Sequence, residues 1–208
     1  MTSIPSIRRS VLIGALIASS ALSGCALLVG GVALGSAMVV TDRRTSGAQV
    51  DDQAIELKSV NRIGEVIGDR GHVNVTSFNR LVLLSGEVPT EADKASVEAA
   101  VSRIENVRNI VNELAIGAPS SLGTRSNDTL LTSKVKASLI DAKDLQANAF
   151  KVVTERGTVF LMGRVTEREA NRASDVARGV GGVQRVVRVF EVVSESELAG
   201  TQPAAPKP

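Results

Sequence analysis

Apolar residues recur along this chain in two rhythms, and the same succession of rhythms occurs twice. Ile55, Ser59, Ile63 and Ile67 follow helical spacing, and so do Leu131, Val135 and Leu139. Each helical stretch is followed by two runs rich in β-branched residues, 73–76 and 81–88 in the first case and 150–153 and 158–165 in the second. Asn79-Arg80 and Arg156-Gly157 supply the turns between those runs. A cap then opens another helix. Thr166 with Glu169 forms a capping box and Thr90 with Asp93 a weaker version, so helices are expected to run to about Ile104 and Val180. A closing strand, 107–116 or 183–193, completes an α-β-β-α-β unit. The expected fold class is α+β, with two helices on one face of a three-stranded mixed sheet in each unit.

The two units superpose as sequences. Residues 73–76 and 81–88 lie over 150–153 and 158–165 at a constant offset of 77, which becomes 76 after the extra Pro89. Asp52 and Asp128 head the two copies, and Gly86 and Gly163 occupy equivalent places near the second strand's end. A glycine there supplies a bulge or a close backbone approach, so these two define fold and not chemistry.

Ahead of the repeats, Arg8-Arg9 precede an apolar run over 11–21, which ends at Leu22-Ser23-Gly24-Cys25. This pattern reads as a secretory signal with a lipobox, cleaved before the only cysteine, so Cys25 is expected to carry lipid. Ala26, where an aspartate would favour inner-membrane retention, points to outer-membrane delivery facing the periplasm. The competing expectation is one spanning helix over 11–40, against which stand five glycines and the serines at 19, 20 and 23. The organisation expected is a signal peptide at 1–24, a lipidated linker at 25–50 and a first domain at 51–117. A short linker at 118–125, a second domain at 126–194 and a disordered Pro/Ala-rich tail at 195–208 complete it.

Charge separates the two domains. Residues 51–117 carry seven Lys/Arg and eleven Asp/Glu, a balance of −4, whereas 125–193 carry twelve and eight, a balance of +4. Only the second domain should be drawn to an anionic surface, and the opposite signs make docking of the pair plausible without placing the interface. Aromatics amount to four phenylalanines, too few for base-stacking platforms, so no nucleic-acid partner is expected. His72 is the only histidine and is expected in an exposed loop before the first strand. With Cys25 acylated, clustered metal ligands and Cys/His nucleophilic catalysis lack partners, so neither an enzyme nor a cofactor is expected.

The repeat, with its Gly-Xaa-Val step followed by a Thr-Glu helix start, resembles the BON domain. Three further stretches, residues 41–52 (TDRRTSGAQVDD), 126–129 (SNDT) and 159–170 (VFLMGRVTEREA), are similar to those of the dual-BON outer-membrane lipoproteins associated with division and outer-membrane stress. The resemblance implies a periplasm-facing lipoprotein. Its second domain would bind anionic phospholipids, phosphatidylglycerol and cardiolipin, through that domain's first helix, in support of outer-membrane integrity and division-site function.

On that helix Leu131, Val135, Ser138, Leu139 and Ala142 share the core face. Leu130 is displaced by roughly 130° from its centre and lies about 40° from Lys134, with Ala137 between them and Asp141 nearby. An exposed leucine beside lysines suits shallow insertion among anionic headgroups. The expected contact residues are Leu130, Lys134, Ala137 and Lys136, the last on another side of the helix, with Cys25 as the covalent anchor. No Trp or Tyr is available as an interfacial anchor, so Leu130 must serve in its place. An adaptor for an envelope assembly or peptidoglycan-remodelling complex, without specific lipid recognition, is the alternative.

Overall fold

In the computed structural model, which describes residues 42–201, each repeat begins with a capped helix. Thr45 caps α1 (Ser46–Ile67) by accepting the Ala48 N–H at 3.1 Å, and Ser121 caps α3 (Leu122–Asp141) by accepting that of Thr124 at 3.1 Å. Both helices start inside stretches expected to be linkers, because these caps lie upstream of the first apolar-periodic residues. Ile55, Ser59, Ile63 and Ile67 are buried together on α1, and Leu131, Val135 and Leu139 on α3.

In the first unit β1 (His72–Phe78) and β2 (Leu81–Val88) form an antiparallel hairpin, followed by α2 (Glu91–Val101). The closing strand is split into β3 (Asn109–Asn112) and β4 (Ala115–Ile116), both parallel to β2. The continuous strand expected there is broken because Leu114 turns into the core, with its N–H donated to Asn112 Oδ1 at 3.2 Å. The second unit repeats the order with β5 (Phe150–Glu155), β6 (Thr158–Val165), α4 (Glu167–Arg178) and an unbroken β7 (Arg185–Val192) parallel to β6. A last helix, α5 (Glu195–Thr201), occupies the start of the expected disordered tail. It is held by buried Leu198 and by Glu197, which pairs with Arg164 at 2.5 Å. His72 is the first residue of β1 and not a loop residue, and its ring nitrogen lies 3.2 Å from the Asn74 side-chain amide.

The aspartates that head the repeats hold the hairpins. Asp128 accepts the backbone N–H groups of Arg156 at 2.8 Å and Gly157 at 2.9 Å. Asp52 does the same for Asn79 and Arg80, and also receives the Ser77 hydroxyl at 2.6 Å. Asn79 and Arg80 both sit at positive φ, 51° and 68°, the twist that a two-residue hairpin turn needs. Replacing Asp128 by alanine orphans two turn N–H groups, so Asp128→Ala is expected to lower unfolding free energy by about 2–3 kcal/mol in a urea titration.

Alternation along the central strands builds a layered molecule. Val82, Leu84 and Val88 face α1 and α2, and Val159, Leu161 and Val165 face the helices of the second unit. The opposite faces meet each other: Phe78 and Leu83 pack with Phe160, Met162 and Val189 in one buried cluster. The order of layers is therefore helices, sheet, sheet, helices, with α1 and α3 in opposite outer layers. Around that apolar contact the charge asymmetry is used, since Glu56, Glu87 and Glu113 of the first domain pair with Lys151, Arg156 and Arg185 of the second at 2.9, 3.8 and 2.9 Å.

The chain entering the first domain also touches the second. Arg43 forms a two-bond fork with Glu169, 2.7 and 2.8 Å, inside the capping box of α4. Arg43 holds the Glu169 carboxyl below the usual range against the opposing effect of burial, assisted by the Thr166 N–H. A carboxyl whose folded pKa is depressed stabilises the fold above its unfolded pKa, and this contribution is lost as pH falls through the folded value. Hydrogen-exchange protection of the Thr166 amide should persist through the ordinary carboxylate range and fall only in stronger acid.

Candidate functional site on the outer face of helix 3

Once Leu131, Val135, Leu139 and Ala142 are buried against the sheet, helical geometry fixes what α3 presents outward. Leu130 is 63% exposed and Ile140 68%, and Leu122 in the first turn is exposed as well. Ala137 lies two turns beyond Leu130, so Leu122, Leu130, Ala137 and Ile140 form an apolar ridge along one side of the helix. All four expected contact residues are exposed. Leu130 and Ala137 are on the ridge, Lys134 borders it, and Lys136 stands on the far flank.

Two further features shape this face. Among the described residues, Lys134, Lys136 and Lys143 have no carboxylate within ion-pair distance, in contrast to the paired Arg172 and Arg178 of α4. The polar residues interleaved with the ridge are satisfied by their own helix: the hydroxyls of Ser126, Thr129 and Ser133 donate to the carbonyls of Leu122, Arg125 and Thr129 at 2.9, 3.0 and 3.0 Å. The face therefore offers apolar surface and free ammonium groups with little hydrogen-bonding demand. Asp141, exposed beside Ala137, is the one carboxylate on it. A ridge of this chemistry can enter an acyl boundary while its lysines remain at headgroup level.

Sequence reasoning missed Ile140 and Leu122. Ile140 lies about 150° from the centre of the core stripe and was legible from the same wheel that singled out Leu130. Leu122 was hidden because it lies in the stretch taken as a linker, where the Ser121 cap in fact starts the helix.

A polar cleft where the domains meet is lined by His72, Asn74, Arg125, Asp128, Thr132 and Glu155. Burial raises the Glu155 carboxyl and the Asn74 amide, bonded to it at 2.8 Å, opposes the shift. Among the described residues no set of three His, Cys, Asp or Glu groups is arranged to hold a metal, and no helix is long and apolar enough to cross a membrane. Cys25 lies outside the described residues.

Two αββαβ units joined sheet to sheet, with an amphipathic outer helix, define a tandem domain protein, and the chain belongs to the BON domain family, whose profile matches residues 51–118 and 127–194. Within that family it is an outer-membrane lipoprotein of the dual-BON kind. It is 38% identical over 194 residues to the outer membrane lipoprotein DolP of Haemophilus influenzae, covering 92% of this chain and 98% of that one. The 21 kDa hemolysin of Actinobacillus pleuropneumoniae is 33% identical over 154 residues, 73% of this chain and 79% of its own length. Osmotically-inducible protein Y of Escherichia coli K12 is 26% identical over 185 residues, 77% and 89% of the two chains.

Proposed function

We propose that this lipoprotein is attached to the outer membrane, on its periplasmic face, through lipidated Cys25, and that its second BON domain makes a separate contact with anionic phospholipids. Phosphatidylglycerol and cardiolipin are the lipids it binds, and the role is upkeep of outer-membrane integrity, including at division sites. The observation that supports it is the α3 face, where Leu130, Ala137 and Ile140 stand exposed beside the unpaired Lys134. Leu130 and Ile140 enter the acyl boundary. Lys134, and from the flank Lys136, take the surface potential at about 1 kcal/mol each. Residues 41–208, made without signal or lipid, should float with vesicles containing phosphatidylglycerol or cardiolipin at low salt and less at moderate salt, and should not float with neutral vesicles. Equal recovery with neutral and anionic vesicles would remove the headgroup part of the reading, and no flotation would leave Cys25 as the sole membrane attachment.

A second reading, an adaptor for an envelope protein complex, is favoured by the opposite outer layer. There α1 exposes Val50, Leu57 and Val60 on a domain of net negative charge, a surface unsuited to anionic lipid. Leu57→Asp should leave vesicle flotation unchanged while releasing any protein that co-purifies through this domain.

A further inference from the structure

The chain runs from its N-terminal stretch into the first domain, yet Arg43, three residues before α1, is fastened to the second. Arg43 reaches four acceptors there: both carboxylate oxygens of Glu169, the carbonyl of Arg164 at 3.1 Å and the side chain of Gln146 at 3.0 Å. The Arg43 and Glu169 side chains are each 5% exposed, so this is a built-in contact and not a surface ion pair. Arg44, one residue on, is bound to the first domain. It pairs with Asp52 at 2.8 Å, is braced by Asp42 at 2.6 Å, and lies over the Phe78 ring with 4.4 Å to its centroid. Two consecutive arginines thus fasten one short strap to both domains.

Residues 26–40, immediately before the strap, contain no charged residue. The strap is the described body's end of that uncharged stretch, so where it is held matters. The place where Arg43 lands matters as much. Gln146 follows the C-terminal end of α3, four residues beyond Ala142, the helix's C-cap, so the strap enters beside the end of the helix that carries Ala137 and Ile140.

We propose that Arg43 is a positioning residue that transfers the membrane attachment from the first domain, into which the chain runs, to the second, so that the body hangs with the α3 end toward the bilayer. The proposal rests on attachment of the N-terminal arm to the membrane, and it is separable from lipid binding by α3. The Glu169 fork supplies the hold, and Arg44 keeps the first domain in register with it.

The test uses the full lipidated chain in vesicles containing nitroxide-labelled lipid, in a Leu130→Asp/Lys134→Glu background that removes the ridge's own attraction. A fluorophore is placed either at Lys143 in the second domain or at Leu57 in the first. Quenching at 143 should exceed that at 57 several-fold. Arg43→Ala should bring the ratio close to one, and Arg43→Glu combined with Glu169→Arg should restore it. Thermal melts accompany each variant, and Glu169→Gln, which keeps the cap's shape, replaces Arg43→Ala if that protein fails to fold. A ratio near one with the strap intact, or a high ratio that survives its removal in folded protein, overturns the proposal. A strap-dependent ratio in a protein whose soluble fragment does not float would sustain the strap and reject lipid binding by α3.

Discussion

Leu130→Asp combined with Lys134→Glu is expected to weaken binding of the non-lipidated domain pair to anionic vesicles by roughly 100- to 1000-fold. Burial of a leucine side chain contributes about 1.5–3 kcal/mol. Reversing one lysine removes about 1 kcal/mol of attraction and adds a comparable repulsion. Shallow insertion realises the lower end of the leucine range, so together these come to about 3.5 kcal/mol, and each 1.4 kcal/mol is a factor of ten. Both side chains are exposed and make no interaction with the core, so the melting temperature should stay within a few degrees of the parent. Unchanged binding by this folded variant would move the membrane contact away from α3. Lys136→Glu alone should have a smaller effect, because Lys136 stands on the flank and contributes long-range charge only.

The largest loss of stability is expected from Gly86→Val. Gly86 sits in β2 at φ 110°, where a side chain is strained whatever the surroundings, and a Cβ would lie 2.0 Å from the His72 carbonyl oxygen on the neighbouring strand. The strain alone costs about 1–3 kcal/mol. The clash adds the displacement of β1, whose pairing with β2 holds Phe78 in the interdomain cluster. A total above about 4 kcal/mol is a large part of the 5–15 kcal/mol that a domain has in hand, so the first domain should unfold before the second in a urea titration. The equivalent Gly163 is hindered by the Ala149 carbonyl at 2.4 Å but has no positive φ, so Gly163→Ala should be the milder of the two alanine substitutions. Equal losses for Gly86→Ala and Gly163→Ala would show that backbone conformation is not what makes Gly86 necessary.

Much of the fold was legible because both repeats obey local rules without conflict. The burial of Ile55, Ser59, Ile63 and Ile67, the hairpin turns at Asn79-Arg80 and Arg156-Gly157, and the Thr166/Glu169 cap all follow from spacing and short-range hydrogen bonding. What escaped were features settled at long range. Arg43 lies 126 residues from Glu169, and no periodicity connects them. Leu114 interrupts the first closing strand because the core admits it, although its neighbours read as continuous strand. Leu198 folds back on the second domain within a stretch whose composition suggests disorder. The sheet-to-sheet contact was signalled only as a charge imbalance, since Leu83 and Phe160 alternate with core residues and look the same in sequence whether they face solvent or a second sheet. On α3 the ridge was half legible: helical spacing exposes Leu130 and Ala137, but the hydroxyls of Ser126 and Ser133 turn back onto their own helix, which spacing does not dictate.

The central claim, that the outer face of α3 meets the bilayer, is tested most directly by NMR of residues 41–208 bound to anionic bicelles doped with a nitroxide lipid. Line broadening of methyl groups reports their depth one residue at a time. The account predicts strong broadening at Leu130, Ala137 and Ile140, little at the buried Leu131 and Leu139, and none at Leu57 and Val60 in the opposite layer. Broadening centred on the α1 methyls, or spread evenly over both outer helices, would contradict it.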